Sequence, residues 1–231
     1  MNKFFRLFAI LLGMVALGSV PAQAAEYRNI TLPSGVVIEY ALVLPDGYQA
    51  DKSYPLLLAL PPDPQTRDMV NAGISFFEAQ AKKRGMIVVS PVAPEGELYF
   101  RGGAILIPLF LDAIENEFNV GPKHHVAGIS NGGISAFRVA LDFPGRFQSL
   151  TAIPGFPHQA GLEKLVGLKV TMFVGELDTR WIPPMEKAAN ELKSFGGDVH
   201  FEIVAGAINF IRELAATENE RLFDLIERGG E

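Results

Sequence analysis

The 231-residue sequence contains no cysteine. That excludes disulfides, thiol nucleophiles, cysteine-ligated metals and a lipid-modified cysteine. Its four histidines form no H-E-x-x-H pair, and His200-Phe201-Glu202 is too sparse to hold a metal. Neither a G-x-G-x-x-G nor a phosphate-loop motif occurs, so no cofactor and no metal are expected. Positive charge is the scarcer sign, with 20 Lys and Arg against 26 Asp and Glu, a net −6. An acidic surface without basic clusters argues against nucleic acid and against anionic membranes. Beyond residue 24 the sequence shows no internal repeat, low-complexity tract or linker.

Residues 1–24 have the pattern of an export signal. Lys3 and Arg6 give the positive start, Leu7 to Val20 the apolar stretch, and Ala22-Gln23-Ala24 an A-x-A cleavage site. The apolar run is short for a membrane span, so no stable membrane anchor is expected. The expectation is a secreted or periplasmic protein cleaved near Ala24. Residues 25–231 then form a single domain of a size that supports a sizeable core.

Gly128-Ile129-Ser130-Asn131-Gly132-Gly133 follows the short apolar run His125-Val126-Ala127 and precedes the helical pattern Ile134 to Leu141. Strand, G-x-S-x-G, helix is the context of a nucleophile elbow. Gly128 and Gly132 let the backbone close the turn, and Ser130 is left at the strand tip with its hydroxyl exposed. The helix N-terminus behind it faces the same spot, so the Asn131 amide is a candidate oxyanion donor.

Buried strands are predicted at Tyr54–Leu60, Met86–Ser90 and Lys169–Val174, with further strands at Val36–Leu44, Ser149–Ile153 and His200–Val204. Helices are predicted at Asp68–Arg84, Ile107–Phe118, Pro183–Ser194 and Phe210–Arg228. The loop from Pro91 to Gly103 is long enough to be functional. Strands alternating with helices imply an α/β fold, a mainly parallel sheet covered on both faces.

The order of these parts, from about Gly35 onward, resembles the α/β-hydrolase superfamily with little room for a cap. The likeness rests on Leu44-Pro45-Asp46-Gly47-Tyr48, the Tyr54–Leu60 strand, the elbow, and Gly175-Glu176-Leu177-Asp178. Within the superfamily it is similar to secreted esterases of the polyhydroxybutyrate-depolymerase-like or feruloyl-esterase-like group. That resemblance implies a small-molecule ester or acyl substrate and a Ser–Asp–His triad in that chain order. Ser130 would be the nucleophile and Asp178 the acid that orients the imidazole.

The position matching the histidine is Asn209, in Ala205-Gly206-Ala207-Ile208-Asn209-Phe210-Ile211. An amide has no proton-accepting nitrogen. The expectation is an impaired serine esterase, with a catalytically silent binding protein as the alternative. His158, at a strand carboxyl end, is the alternative base; His124, His125 and His200 lie at strand starts and are expected to be structural. The usual second oxyanion donor is also disturbed. Pro61, Pro62 and Pro64 carry no amide hydrogen, which leaves Asp63 or Gln65. Tyr99, Phe156 and Trp181 sit in loops at strand carboxyl ends and are expected to face substrate.

Overall fold

A computed structural model describes residues 25–95, 97–215 and 220–228. The proposed export signal, residues 1–24, lies outside the described residues. In chain order the elements are β1 (Glu26–Thr31), β2 (Val37–Val43), β3 (Leu56–Leu60), α1 (Arg67–Ile74), α2 (Glu78–Arg84), β4 (Ile87–Pro91), α3 (Leu106–Glu117), β5 (His124–Ile129), α4 (Asn131–Asp142), β6 (Phe147–Ile153), β7 (Lys169–Gly175), α5 (Ile182–Ser194), β8 (Asp198–Val204) and α6 (Arg221–Glu227).

The apolar runs become the middle of one eight-stranded sheet, ordered β1-β2-β4-β3-β5-β6-β7-β8. β3 to β8 pair in parallel, while β1 and β2 run antiparallel at one side. Every residue of β3, β4 and β5 is buried, because helices cover both faces. The side chains of β3 alternate between two cores. Leu56, Leu58 and Leu60 join Phe110, Phe137 and Met185 under α3, α4 and α5. Leu57 and Ala59 join Val70, Phe77 and Phe223 under α1, α2 and α6. The Pro108 ring is accommodated because it falls in the first turn of α3.

Three elements differ from the sequence reading. β1 is an additional edge strand whose burial is only partial, so its sequence Glu26-Tyr27-Arg28-Asn29-Ile30-Thr31 carries little apolar alternation. The helix expected over Asp68–Arg84 is two helices. Phe76 and Phe77 lie between them, and their amides bond to the carbonyls of Gly73 and Ile74, three residues back. That tighter turn puts both neighbouring aromatic rings into the core. The closing segment is likewise not one described helix. A 3₁₀ turn at Arg212–Ala215 lets Ile211 and Leu214 bury on one side, and α6 follows at Arg221. Among the described residues no helix is long and apolar enough to cross a membrane.

Because β3 and β5 to β8 are parallel, their carboxyl ends share one edge of the sheet. The loops that leave β3, β5, β6, β7 and β8 there carry Asp63, Ser130, His158, Asp178 and Asn209 respectively. This is the edge at which ligands bind in open parallel sheets.

Candidate active site

Ser130 joins β5 to α4 in a conformation that side chains rarely adopt, with φ 56° and ψ −122°. Its amide donates to the Ile153 carbonyl at 3.0 Å, and its carbonyl accepts the Gly133 amide at 2.8 Å. These bonds fix the turn on both sides. The turn is so tight that a methyl group on Gly128 would overlap the Gly132 carbonyl, and one on Gly132 would overlap the Leu60 carbonyl. The Ser130 hydroxyl does not cap α4, so it is not spent on the helix end. A strained serine at a strand-to-helix corner, its hydroxyl without a hydrogen bond among the described residues, is a nucleophile geometry.

The oxyanion side is less well equipped. Among the described residues the Asn131 amide at the start of α4 meets no backbone acceptor, which suits it to a developing negative charge. On the β3 loop the Gln65 amide is committed to the Pro62 carbonyl at 2.8 Å. That leaves the Asp63 amide as the loop's remaining candidate, with the Asp63 side chain exposed to solvent.

Asp178 follows β7 in a tight turn, where its amide donates to Gly175 and its carbonyl accepts the Trp181 amide, both at 3.0 Å. The turn after β8 is pinned against it: Glu176 donates from its amide to Val204, Leu177 to Ala207, and the Glu176 carboxylate accepts the Gly206 amide. Across this junction Asn209 Nδ2 donates to Asp178 Oδ2 at 3.1 Å. The structure thus brings together the carboxylate and the amide that the family resemblance assigns to the acid and histidine positions.

None of the four histidines is hydrogen-bonded to this pair among the described residues. His124 is buried with Nε2 2.6 Å from Glu115 Oε1, and His125 is buried with Nδ1 2.7 Å from Ser149 Oγ and Nε2 accepting from Gln148 at 2.8 Å. Both belong to the start of β5, the opposite end of the sheet from Ser130. Burial lowers the pKa of His125 to about 4, helped by the adjacent His124. His200 stacks edge-on against Phe173 and reaches Glu202 at 3.3 Å. His158 is exposed and takes no hydrogen bond among the described residues, so no carboxylate orients it as a triad base would be oriented. Among the described residues no group of three or more His, Asp or Glu side chains could hold a metal.

No protein-family model matches the sequence, and none of the curated proteins matches it. Solved structures do. A thermostable esterase aligns at 18% identity with a TM-score of 0.74, covering 89% of this chain and 63% of that one. The ferulic acid esterase of Anaeromyces mucronatus aligns at 15% identity and TM-score 0.67, over 90% of this chain and 91% of that one. The S-formylglutathione hydrolase of Agrobacterium tumefaciens aligns at 15% and 0.64, over 87% and 94%. The chain has the α/β-hydrolase fold. It spans 63% of the length of the thermostable esterase.

In this α/β-hydrolase fold the aromatic residues divide. Phe156 is half-buried, with its ring 4.9 Å from His158 and 5.5 Å from Trp181. Phe156 and His158 border a cleft of about 650 Å³ between the loop after β6 and the face of α5 that carries Pro184, Ala188 and Glu191. Ser130, Asp178 and Asn209 are not among the residues that line it. Tyr99 does not face substrate. It is 0% exposed, its hydroxyl donates to the Val92 carbonyl at 2.9 Å, and its amide donates to Gln65 Oε1 at 2.7 Å. Those two bonds fold the long loop inward and make Tyr99 a core residue. The sequence reading missed the side chains of Gln65 and Ser135, which join the loop after β3 to α4; they bond to each other across 70 positions, and a buried glutamine leaves no local signature.

Proposed function

We propose that this protein is a serine-type carboxylic-ester hydrolase whose base position is filled by an amide, so that it holds ester or acyl groups at Ser130 and turns them over slowly. The reading is supported above all by the Asn209 Nδ2 to Asp178 Oδ2 hydrogen bond at 3.1 Å, the bond that an acid-oriented imidazole would make in a triad. For hydrolysis, Ser130 Oγ bonds to the ester carbonyl carbon and its proton must pass to an acceptor. The carbonyl oxygen takes the negative charge and meets the Asn131 amide. Collapse then breaks the bond to the alcohol oxygen, which leaves with that proton, and the acyl group stays on Ser130 Oγ. Water next adds to the acyl carbon and gives up a proton, and the bond to Oγ breaks as Oγ takes a proton back and the acid departs. An imidazole performs each of these proton transfers; the Asn209 side chain has no basic lone pair to perform any of them. Loss of the base in a serine triad lowers turnover on the order of 10⁶-fold, roughly 8 kcal/mol of barrier. About 10³ to 10⁴ over water can remain from binding and oxyanion contacts.

A second reading, binding without turnover, is favoured by Pro61 and Pro62, which withdraw two backbone donors from the oxyanion side. Hydrolysis of p-nitrophenyl butyrate by the chain and by Ser130→Ala separates the two. A slow rate that disappears in Ser130→Ala supports the hydrolase. Equal rates at background, with saturable ester binding retained in Ser130→Ala, support the receptor. Export directed by residues 1–24 is part of the same proposal, and a cell fraction in which the protein begins at Ala25 is its test.

A further inference from the structure

We infer that Gln65 is a positioning residue for the oxyanion site, an inference that rests on the ester-hydrolase reading above. Its side chain is fully buried. Nε2 donates to the Pro61 carbonyl at 3.2 Å and to Ser135 Oγ at 3.0 Å. Oε1 accepts the Tyr99 amide at 2.7 Å. The Gln65 amide donates to Pro62 and its carbonyl accepts the Ala93 amide at 2.9 Å. Ser135 Oγ donates in turn to the Asn131 carbonyl at 2.9 Å. One glutamine therefore joins three parts: the loop after β3, the first turns of α4 that carry the Asn131 amide, and the loop after β4.

The loop chemistry explains why a side chain is needed. Pro61 and Pro62 have no amide hydrogens, so their own backbone cannot donate to the elbow. The Gln65 carboxamide ties the loop to α4 from inside instead, one N–H holding the Pro61 carbonyl of its own loop and the other reaching Ser135 Oγ on α4. Its backbone has a φ of 59°, a conformation unusual for a residue with a long side chain. Both donor hydrogens and the acceptor are matched, as a buried amide requires. The consequence concerns the transition state. Two oxyanion donors on different elements act together only when their spacing is fixed before charge develops. The Gln65–Ser135–Asn131 relay fixes the Asp63 side of the site against the Asn131 amide.

The test uses Asn209→His, in which Ser130-dependent turnover is expected, with Gln65→Leu or Ser135→Ala added. We expect Gln65→Leu to lower kcat for p-nitrophenyl butyrate about 100-fold with KM changed by less than about twofold. Ser135→Ala, which removes one link, should lower kcat about tenfold with the same KM. A purely structural role would lower the melting temperature and the active fraction without that split in active-site-titrated enzyme. Should Gln65→Leu fail to fold, Ser135→Ala decides alone: an unchanged kcat overturns the inference. Ser130-dependent turnover in Asn209→His that neither substitution alters overturns the positioning role and leaves the hydrolase reading standing. No Ser130-dependent turnover in Asn209→His removes the hydrolase reading, and the positioning role with it.

Discussion

Replacing Asn209 with histidine should convert this site into a working esterase. Nδ2 of asparagine and Nδ1 of histidine lie the same number of bonds from the backbone. The donor that now bonds Asp178 Oδ2 at 3.1 Å can therefore be kept by the imidazole without moving the turn. That bond would hold the ring in the tautomer that leaves Nε2 basic. The turn itself is anchored by the Glu176, Leu177 and Gly206 hydrogen bonds, so the new ring would hang from a fixed support. A full triad base is worth on the order of 10⁶ in turnover. A grafted ring about 1 Å from its best position forfeits roughly 10² of that. We expect a gain of about 10⁴ in kcat for p-nitrophenyl butyrate.

The pH profile carries a second sign. The imidazole acts only when neutral, so the new activity should fall as pH drops through about 6.5, the ordinary histidine value. The control is Asn209→His combined with Ser130→Ala, which should return the rate to background. A rate for Asn209→His no higher than that double variant would refute the assignment of Asn209 to the base position, and the hydrolase reading with it.

Two further outcomes bear on the fold that carries the site. Gly132→Ala should cost about 3 kcal/mol or more of unfolding free energy, because its methyl group would overlap the Leu60 carbonyl, a backbone atom with little room to move; urea denaturation at unchanged stability would contradict the tight elbow. His125 has its folded pKa depressed to about 4 by burial and by His124, so the unfolded chain binds the proton more readily. Stability should thus fall by about 3 kcal/mol through this residue as pH drops from about 6.5 to about 4. Unfolding curves of His125→Gln should lack that slope, whatever their absolute stability, and an identical slope would refute the assignment.

Much of this architecture was legible because its signals are local. Continuous apolar runs at Leu56–Leu60 and Ile87–Val89, and the run Val170–Val174 interrupted by Thr171, mark strands covered on both faces, and the Gly128–Gly133 turn marks the elbow. Chain order then places Asp178 and Asn209 at neighbouring strand ends, and the structure joins them. What stayed hidden depends on distance. Tyr99 has the composition of a loop residue, and the Gln65 carboxamide that accepts its amide lies 34 positions earlier. Gln65 itself acts on Ser135, 70 positions later. The break between α1 and α2 was hidden differently, since Phe76 and Phe77 fit a helical pattern and are buried without being helical.

Ser130 offers the sharpest separation of stability from chemistry. A residue bearing a Cβ at φ 56° and ψ −122° costs about 1–3 kcal/mol in backbone strain. Glycine would relieve that strain, and its own conformational freedom in the unfolded chain would cost roughly 0.5–1 kcal/mol in return. The hydroxyl caps no helix, so removing it forfeits no helix-capping hydrogen bond. The balance favours Ser130→Gly by about 1 kcal/mol, which urea denaturation can resolve, while any Ser130-dependent turnover disappears. A stabilised and inactive variant would mean that the fold holds a side chain where stability alone would place glycine, and that the hydroxyl is kept there for what it does to an ester. A variant of equal or lower stability would mean that the elbow carries no stored strain, and that the geometry at Ser130 is no evidence for a nucleophile.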